Sequence, residues 1–347
     1  MKAAVRDGYG GPDVVRVEEV PTPVPHADEI LVRVRAASVN RADLDQIEPR
    51  PGFLRLFLGL RRPRNRRLGT DVAGIVEAIG PNATQFRVGD RVFGDLFAHG
   101  QGSFAEFVSA PERAFLPIPD GVGFEEASTL PHSAILALQG LRTRSGRPLR
   151  PGAKVLIDGA SGNTGPFAVE IAKWMGAEVT GVCSTGKVEF VRSLGADHVI
   201  DYTTTDFTKG SERYDWILAA DSHHPVLAAR RALRPGGRYV TLGGGTRDLL
   251  EAMVVGPISA LFGSRRAGLM LWWKPFHPAD VAFLTDLLLA GHVRPAIHAR
   301  YPLSQTGEAL RLVDEGRPLG KVLITPLEPE RPAVADQGSD EVGYSSV

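Results

Sequence analysis

The sequence holds one cysteine, Cys183. That excludes a disulfide framework, and it excludes a zinc site built from several cysteines. A reducing, cytoplasmic setting is the expectation that follows. No apolar run reaches the ~18 residues that a membrane span needs. The opening stretch MKAAVRDGYG carries charges where a signal peptide would hold its apolar core. Neither sign of charge is in excess: 40 Lys and Arg stand against 40 Asp and Glu, so no global field favours nucleic acid.

What is present is ordinary for a soluble globular protein, with 43% hydrophobic and 23% charged residues. A chain of 347 residues exceeds the roughly 250–300 at which one core stops growing, so two domains are expected. The 39 glycines fit many tight turns. Up to residue 128 the chain reads as short strands, among them 14–20, 29–35, 72–76, 91–93 and 103–108. Turn residues separate them, which predicts a barrel-like β domain. From residue 129 the rhythm changes. Apolar strands at 155–157, 179–183, 198–200, 216–218, 239–242 and 269–271 alternate with helical stretches. That is a repeated βαβ pattern and predicts a doubly wound parallel sheet over 129–275. Residues 276–327 read as a return to the first domain, and 328–347 as a disordered tail with little to pack. The apolar run Leu269 to Trp273 is expected to end the sheet and form a subunit contact, because such an edge would otherwise invite aggregation.

The stretch DGASGNTG, 158–165, lies between the first of these strands and a helix whose apolar face is Phe167, Ala168, Ile171, Ala172 and Met175. A strand–glycine turn–helix unit is suited to a pyrophosphate, held by backbone N–H groups and the positive helix end. Gly162 and Gly165 can give close backbone approach and close helix packing, and the small Ala160 can complete the turn. Asn163 tolerates unusual backbone angles, and its amide can reach a phosphate. Ser161 and Thr164 complete the expected contacts. About 20 residues on, where an acidic residue would select a ribose hydroxyl, the chain has Ser184, Thr185 and Lys187. Two hydroxyls and an ammonium suit a 2′-phosphate, so NADPH is expected over NADH. Tyr202, Gly243 and Gly244 are expected to line the same cofactor. Gly181 to Lys187 also fits the glycine-lysine loop of nucleoside triphosphate sites, but Val188 stands where Ser or Thr would hold magnesium.

Taken together, ASVNRADL (37–44), LGTDVAGIVEAIG (68–80), VGDRVFG (88–94), GSFAEFV (102–108), the 155–185 segment, LGADHVIDY (194–202), LRPGGRYVTLGG (233–244) and LGKVLI (319–324) carry a resemblance. The sequence resembles the medium-chain dehydrogenase/reductase superfamily, in its zinc-independent quinone oxidoreductase-like branch. The resemblance implies a GroES-like β-barrel domain, a Rossmann domain with the active site between them, and a homodimer. It implies hydride transfer from NADPH to a quinone or an α,β-unsaturated carbonyl. An enoyl thioester reductase is the neighbouring reading, and an NADPH-binding partner protein with little catalysis is a reading of another class. Zinc-binding members carry a cysteine and a histidine–glutamate pair where this chain has Asn40 and Thr70–Asp71, a poor donor set for tetrahedral zinc. The family's glycine-rich turn is altered to GNTG, His132 stands where an apolar residue is usual, and 219–224 (AADSHH) departs from the family's pattern.

Two side chains are the catalytic candidates. Asn40 can donate its amide to a substrate carbonyl, and His132 can donate a proton near neutral pH. Asp43 is expected to cap the short helix after Asn40. Residues 50–67, rich in arginine and interleaved with Phe and Leu, are a candidate cover for the substrate cleft.

Overall fold

A computed structural model of the chain describes residues 1–49, 52, 55–221, 224–243, 246–259 and 263–326. Gly244 and the 328–347 tail lie outside the described residues. The first domain is built on a seven-stranded sheet. Its long central strand, Glu29–Val39, pairs antiparallel with Asp71–Ile79 on one side and with Lys321–Thr325 on the other. Asp71–Ile79 continues the sheet to Arg91–Asp95. Alternating apolar positions of these strands (Ile30, Val32, Val34, Val72, Val76, Val92, Val322, Ile324) close on a core with Phe104 and Phe115.

The second domain is a six-stranded sheet in which every recorded pairing is parallel. Its order, by strand, is His198–Asp201, Glu178–Cys183, Lys154–Asp158, Tyr214–Ala219, Leu233–Thr241, Arg266–Leu269. The order reverses beside Lys154–Asp158, the switch point at which α/β sheets place their ligands. The expected α/β class, a GroES-like barrel with a Rossmann sheet, is what the chain forms. No helix among the described residues is long and apolar enough to cross a membrane.

Two boundaries differ from the sequence reading. Helix Pro278–Leu289 buries Val281, Leu284 and Leu287 in the cluster that holds Leu138 and Phe167 of the Rossmann side. The chain therefore rejoins the barrel at strand Ile297–Pro302 rather than at residue 276. The run from Leu269 to Trp273 is not one edge strand either. The strand stops at Leu269, Met270 is buried, and Trp273 packs edge-on against His132 with ring centroids 5.2 Å apart. The Trp273 indole is thus half-buried against the protein, and along this edge only Arg266 and Leu271 are exposed.

The described part of 55–67 does not cover the cleft. Arg66 pairs with Asp7 and Glu18 on the barrel surface, and no described residue of this stretch lines the cleft cavity.

Candidate active site

The strand Lys154–Asp158 ends in a turn whose left-handed residue is Gly159, with φ of +81°. Gly159, not Ala160, thus makes the sharp bend; Ala160 is fully buried and its N–H bonds the Val182 carbonyl at 3.0 Å. A Cβ on Gly162 would meet only the Gly159 carbonyl oxygen, at 3.7 Å, so this backbone face is open. A Cβ on Gly165 would lie 2.2 Å from the same oxygen, so only glycine lets helix Gly165–Trp174 pack this close. Bend, open approach and close packing are the three features a dinucleotide loop needs, and they are supplied by Gly159, Gly162 and Gly165. The loop fits a dinucleotide.

Asn163 does something other than expected. Its Nδ2 lies 3.3 Å from the Val39 carbonyl and its backbone is not left-handed, so its amide ties the loop to the barrel rather than reaching for a phosphate. Lys187 is also committed across the domains: its ammonium donates to the carbonyls of Gly316 and Pro318. Burial pushes its pKa below the ordinary lysine value. Ser184 and Tyr202 line the cavity beside it. Thr185 does not: its hydroxyl pairs with Thr203 at 2.9 Å on the outer face.

These residues open onto a cavity of about 1030 Å³ between the domains, which also holds Ser161, Thr164 and Gly243. Its opposite wall includes Asn40, His132, Ser133 and Leu136. His224, from the altered 219–224 segment, stands 3.5 Å from the buried Asp158 carboxylate at the foot of the loop.

Behind that wall is a buried polar cluster, assembled by strand register. Asp71 sits opposite Asp95, and Val322 opposite Val39, which places Lys321 next to Asn40. Lys321 Nζ donates to Asn40 Oδ1 at 2.6 Å and to Ser133 Oγ at 3.0 Å, and lies 3.9 Å from Asp71 Oδ2. Asp71 Oδ2 also accepts from Ser38 Oγ at 2.7 Å and from Asn40 Nδ2 at 2.9 Å. The second interaction of Asn40 Nδ2 is with Thr70 Oγ1 at 3.3 Å. Both amide hydrogens of Asn40 are therefore taken, and the expectation that it donates to a substrate does not hold. Asp43 caps the helix as expected, accepting from the Asn40 N–H at 2.8 Å.

Burial dominates the electrostatics here. Desolvation raises Asp43 to about 7 and Asp71 to about 6, and lowers Lys321 to about 8. For His132 burial works against the imidazolium, but the hydrogen bond it donates to Asp95 and the charges of Asp95 and Asp71 outweigh it, and its pKa is raised. Its Nδ1 faces Asp95 Oδ2 at 3.5 Å. Helix Phe124–Thr129 cannot simply continue, because Pro131 has no N–H to donate, and the chain widens into a π-type turn over Leu130–Ala134. That turn presents His132 and Ser133 to the cavity.

Comparison with known proteins places this architecture. Residues 26–120 match the model described as alcohol dehydrogenase GroES-like domain, and residues 194–324 that of zinc-binding dehydrogenase. The chain is 30% identical over 334 residues to the chloroplast envelope quinone oxidoreductase homolog of Arabidopsis thaliana, covering 94% of this chain and 98% of that one. The chain belongs to the medium-chain dehydrogenase/reductase superfamily, in its quinone oxidoreductase-like branch. Human mitochondrial NAD(P)H oxidoreductase RTN4IP1, another such relative, is 32% identical over 358 residues, with 93% of this chain and 89% of that one covered. The quinone oxidoreductase structure from Coxiella burnetii superposes with a TM-score of 0.83 at 26% identity, covering 94% and 99%. As a member of this dehydrogenase/reductase branch, the protein is an oxidoreductase.

Zinc does not suit the donor set of this family member. Where the resemblance puts the thiolate and imidazole of zinc-binding members the chain has Asn40 and Thr70, and the Lys321 ammonium already stands beside Asp71. Asp71, Asp95 and His132 do bring one ligand atom each within 4.8 Å of one another. A divalent ion among them would face that buried ammonium. Sequence reasoning missed Lys321, Asp95 and Ser133. The one available signal was a lysine opening the apolar strand KVLIT, where a surface lysine would be wasted.

Proposed function

We propose that the protein is an NADPH-dependent, zinc-independent reductase of quinones or α,β-unsaturated carbonyls. The observation that carries this is one cavity with two chemically different walls: a dinucleotide loop on one side and a buried, hydrogen-bonded polar cluster on the other. When bound, a reduced nicotinamide supplies the hydride. The chain's part is to hold the diphosphate at Gly162 and the start of helix Gly165–Trp174, to exclude water, and to stabilise the oxygen on which charge develops. Ser184 and Lys187 support the preference for a 2′-phosphate, since no carboxylate of that turn competes for the ribose hydroxyl. The quinone oxidoreductase names of the relatives support the acceptor class. A homodimer joined through the edge near Arg266–Leu269, and a reducing compartment consistent with the lone buried Cys183, belong to the same proposal.

The test is direct. Nicotinamide fluorescence should report NADPH binding tighter than NADH. NADPH absorbance should then fall on adding phenanthrenequinone or methyl vinyl ketone. Binding with no turnover across both acceptor classes would favour a cofactor-binding protein instead.

A further inference from the structure

We propose that Ser133 hands the proton to the substrate in this cleft, with Lys321 behind it as the positioning cation that restores that proton. The inference deepens the reductase reading and rests on it. Four groups of the cluster bear on the cavity wall, and three are already committed. Asn40 has given both amide hydrogens to Asp71 and Thr70. His132 has its Nδ1 turned to Asp95, so in the neutral form that donates there its Nε2 carries no proton. Lys321 is buried and reaches the cavity only through its neighbours. The Ser133 hydroxyl is the exception. It donates to Asn40 Oδ1 at 3.1 Å, but that oxygen already accepts from Lys321 at 2.6 Å. Turning the hydroxyl toward the cavity thus leaves no buried acceptor without a donor, and requires only rotation about one bond. Throughout, the serine oxygen keeps Lys321 Nζ as its own donor at 3.0 Å.

The step balances. Both electrons arrive with the hydride, so the serine moves a proton only. The Oγ–H bond of Ser133 breaks as an O–H bond forms on the substrate oxygen that gained negative charge. One Nζ–H proton of Lys321 passes to Oγ, leaving a neutral amine that water reprotonates after product leaves. A buried ammonium performs here what a Lewis-acidic cation would: it lowers the cost of negative charge at the cavity wall. The charged and titratable groups facing Lys321 are Asp43 from the helix after Asn40, Asp71 and Asp95 from the sheet, and His132 from the π-type turn. The carboxylates favour the ammonium and burial opposes it; burial wins and sets its pKa at about 8.

The experiment is the pH dependence of phenanthrenequinone and methyl vinyl ketone reduction by the full chain, wild type against Ser133→Ala. The protonated lysine is the working form, so wild-type kcat should fall as pH rises through a limb near 8. Ser133→Ala should lose roughly 100-fold in kcat, as removal of a general acid does, and lose that limb. Its NADPH affinity by fluorescence should stay at the wild-type value, and it should remain folded at the assay temperature, with a lower melting temperature because Lys321 loses one acceptor. Lys321→Met should abolish the limb with the serine still present; where that variant does not fold, Ser133→Ala decides alone. A Ser133→Ala protein with wild-type kcat and the same limb overturns the relay and leaves the reductase reading intact. A wild-type protein that binds NADPH yet reduces neither acceptor overturns both.

Discussion

Lys187 of the Rossmann domain donates its ammonium protons to the carbonyls of Gly316 and Pro318, in the loop that leads to Lys321. Four residues past Gly316, the Gly320 N–H bonds the Ser161 carbonyl of the cofactor loop at 3.0 Å. One short segment of the barrel thus touches both the phosphate turn and the turn proposed to read the 2′-phosphate. Lys187→Ala should weaken NADPH binding by roughly 1–3 kcal/mol, the range for a charge-assisted hydrogen bond, and NADH binding far less. Fluorescence titration with both cofactors checks this. Equal losses would mean that the lysine serves only to hold 316–318.

Gly162 and Gly165 make a paired test of the loop. Gly165→Ala puts a Cβ 2.2 Å from a backbone oxygen that cannot move away cheaply. It should destabilise the fold by about 1–3 kcal/mol, as overpacking does, and lower the melting temperature. Gly162→Ala meets nothing nearer than 3.7 Å, so the melting temperature should hold. Its methyl would occupy the open face, so cofactor affinity should drop. If both variants melt early, or neither binds less cofactor, the three-glycine assignment is wrong.

The buried carboxyls give a pH dependence with a definite sign. Asp43 titrates at about 7 in the fold, against an ordinary value of 3.8, because burial penalises its charge. Between those values the folded state holds more protons than the unfolded one, so this group's contribution to stability falls as pH rises from 4 to 7. Asp71, raised to about 6, acts in the same direction. Asp43→Asn keeps an acceptor for the Asn40 N–H and removes the titration. Relative to wild type it should gain on the order of 1–4 kcal/mol between pH 4 and pH 8. Denaturant melts of both proteins at those two pH values measure the difference, and a constant offset would refute it.

His132→Phe separates structure from chemistry at the other catalytic candidate. The change leaves the buried Asp95 Oδ2 without its imidazole partner, so stability should fall by about 1–3 kcal/mol. Turnover of the folded protein should remain within a few-fold of wild type. A loss near 100-fold with an unchanged melting temperature would instead make His132 the proton donor.

The βαβ rhythm, the strand–turn–helix at 154–174 and the barrel strands were legible because they are written in local periodicity and in glycine at turns. The amphipathic face of Phe167, Ala168 and Ile171 states its own burial. The roles of polar side chains were not legible in the same way. Asn40 and Asn163 were each read as reaching for a ligand, and each spends its amide on the cluster or on the other domain, while Lys187 gives two of its three ammonium donors to Gly316 and Pro318. A polar side chain's partner can lie 281 residues away in sequence here, as for Lys321 and Asn40, and no local pattern encodes it.

Sequence alone determined the two-domain α/β plan and the position of the dinucleotide turn, because hydrophobic spacing and glycine chemistry act over a few residues. Only the tertiary structure decided which groups share the cleft wall. Strand register brought Asp71 to Asp95 and Lys321 to Asn40, and Pro131 widened the helix that presents Ser133. Burial then set their charges, since desolvation depends on what surrounds a group and not on its neighbours in the chain.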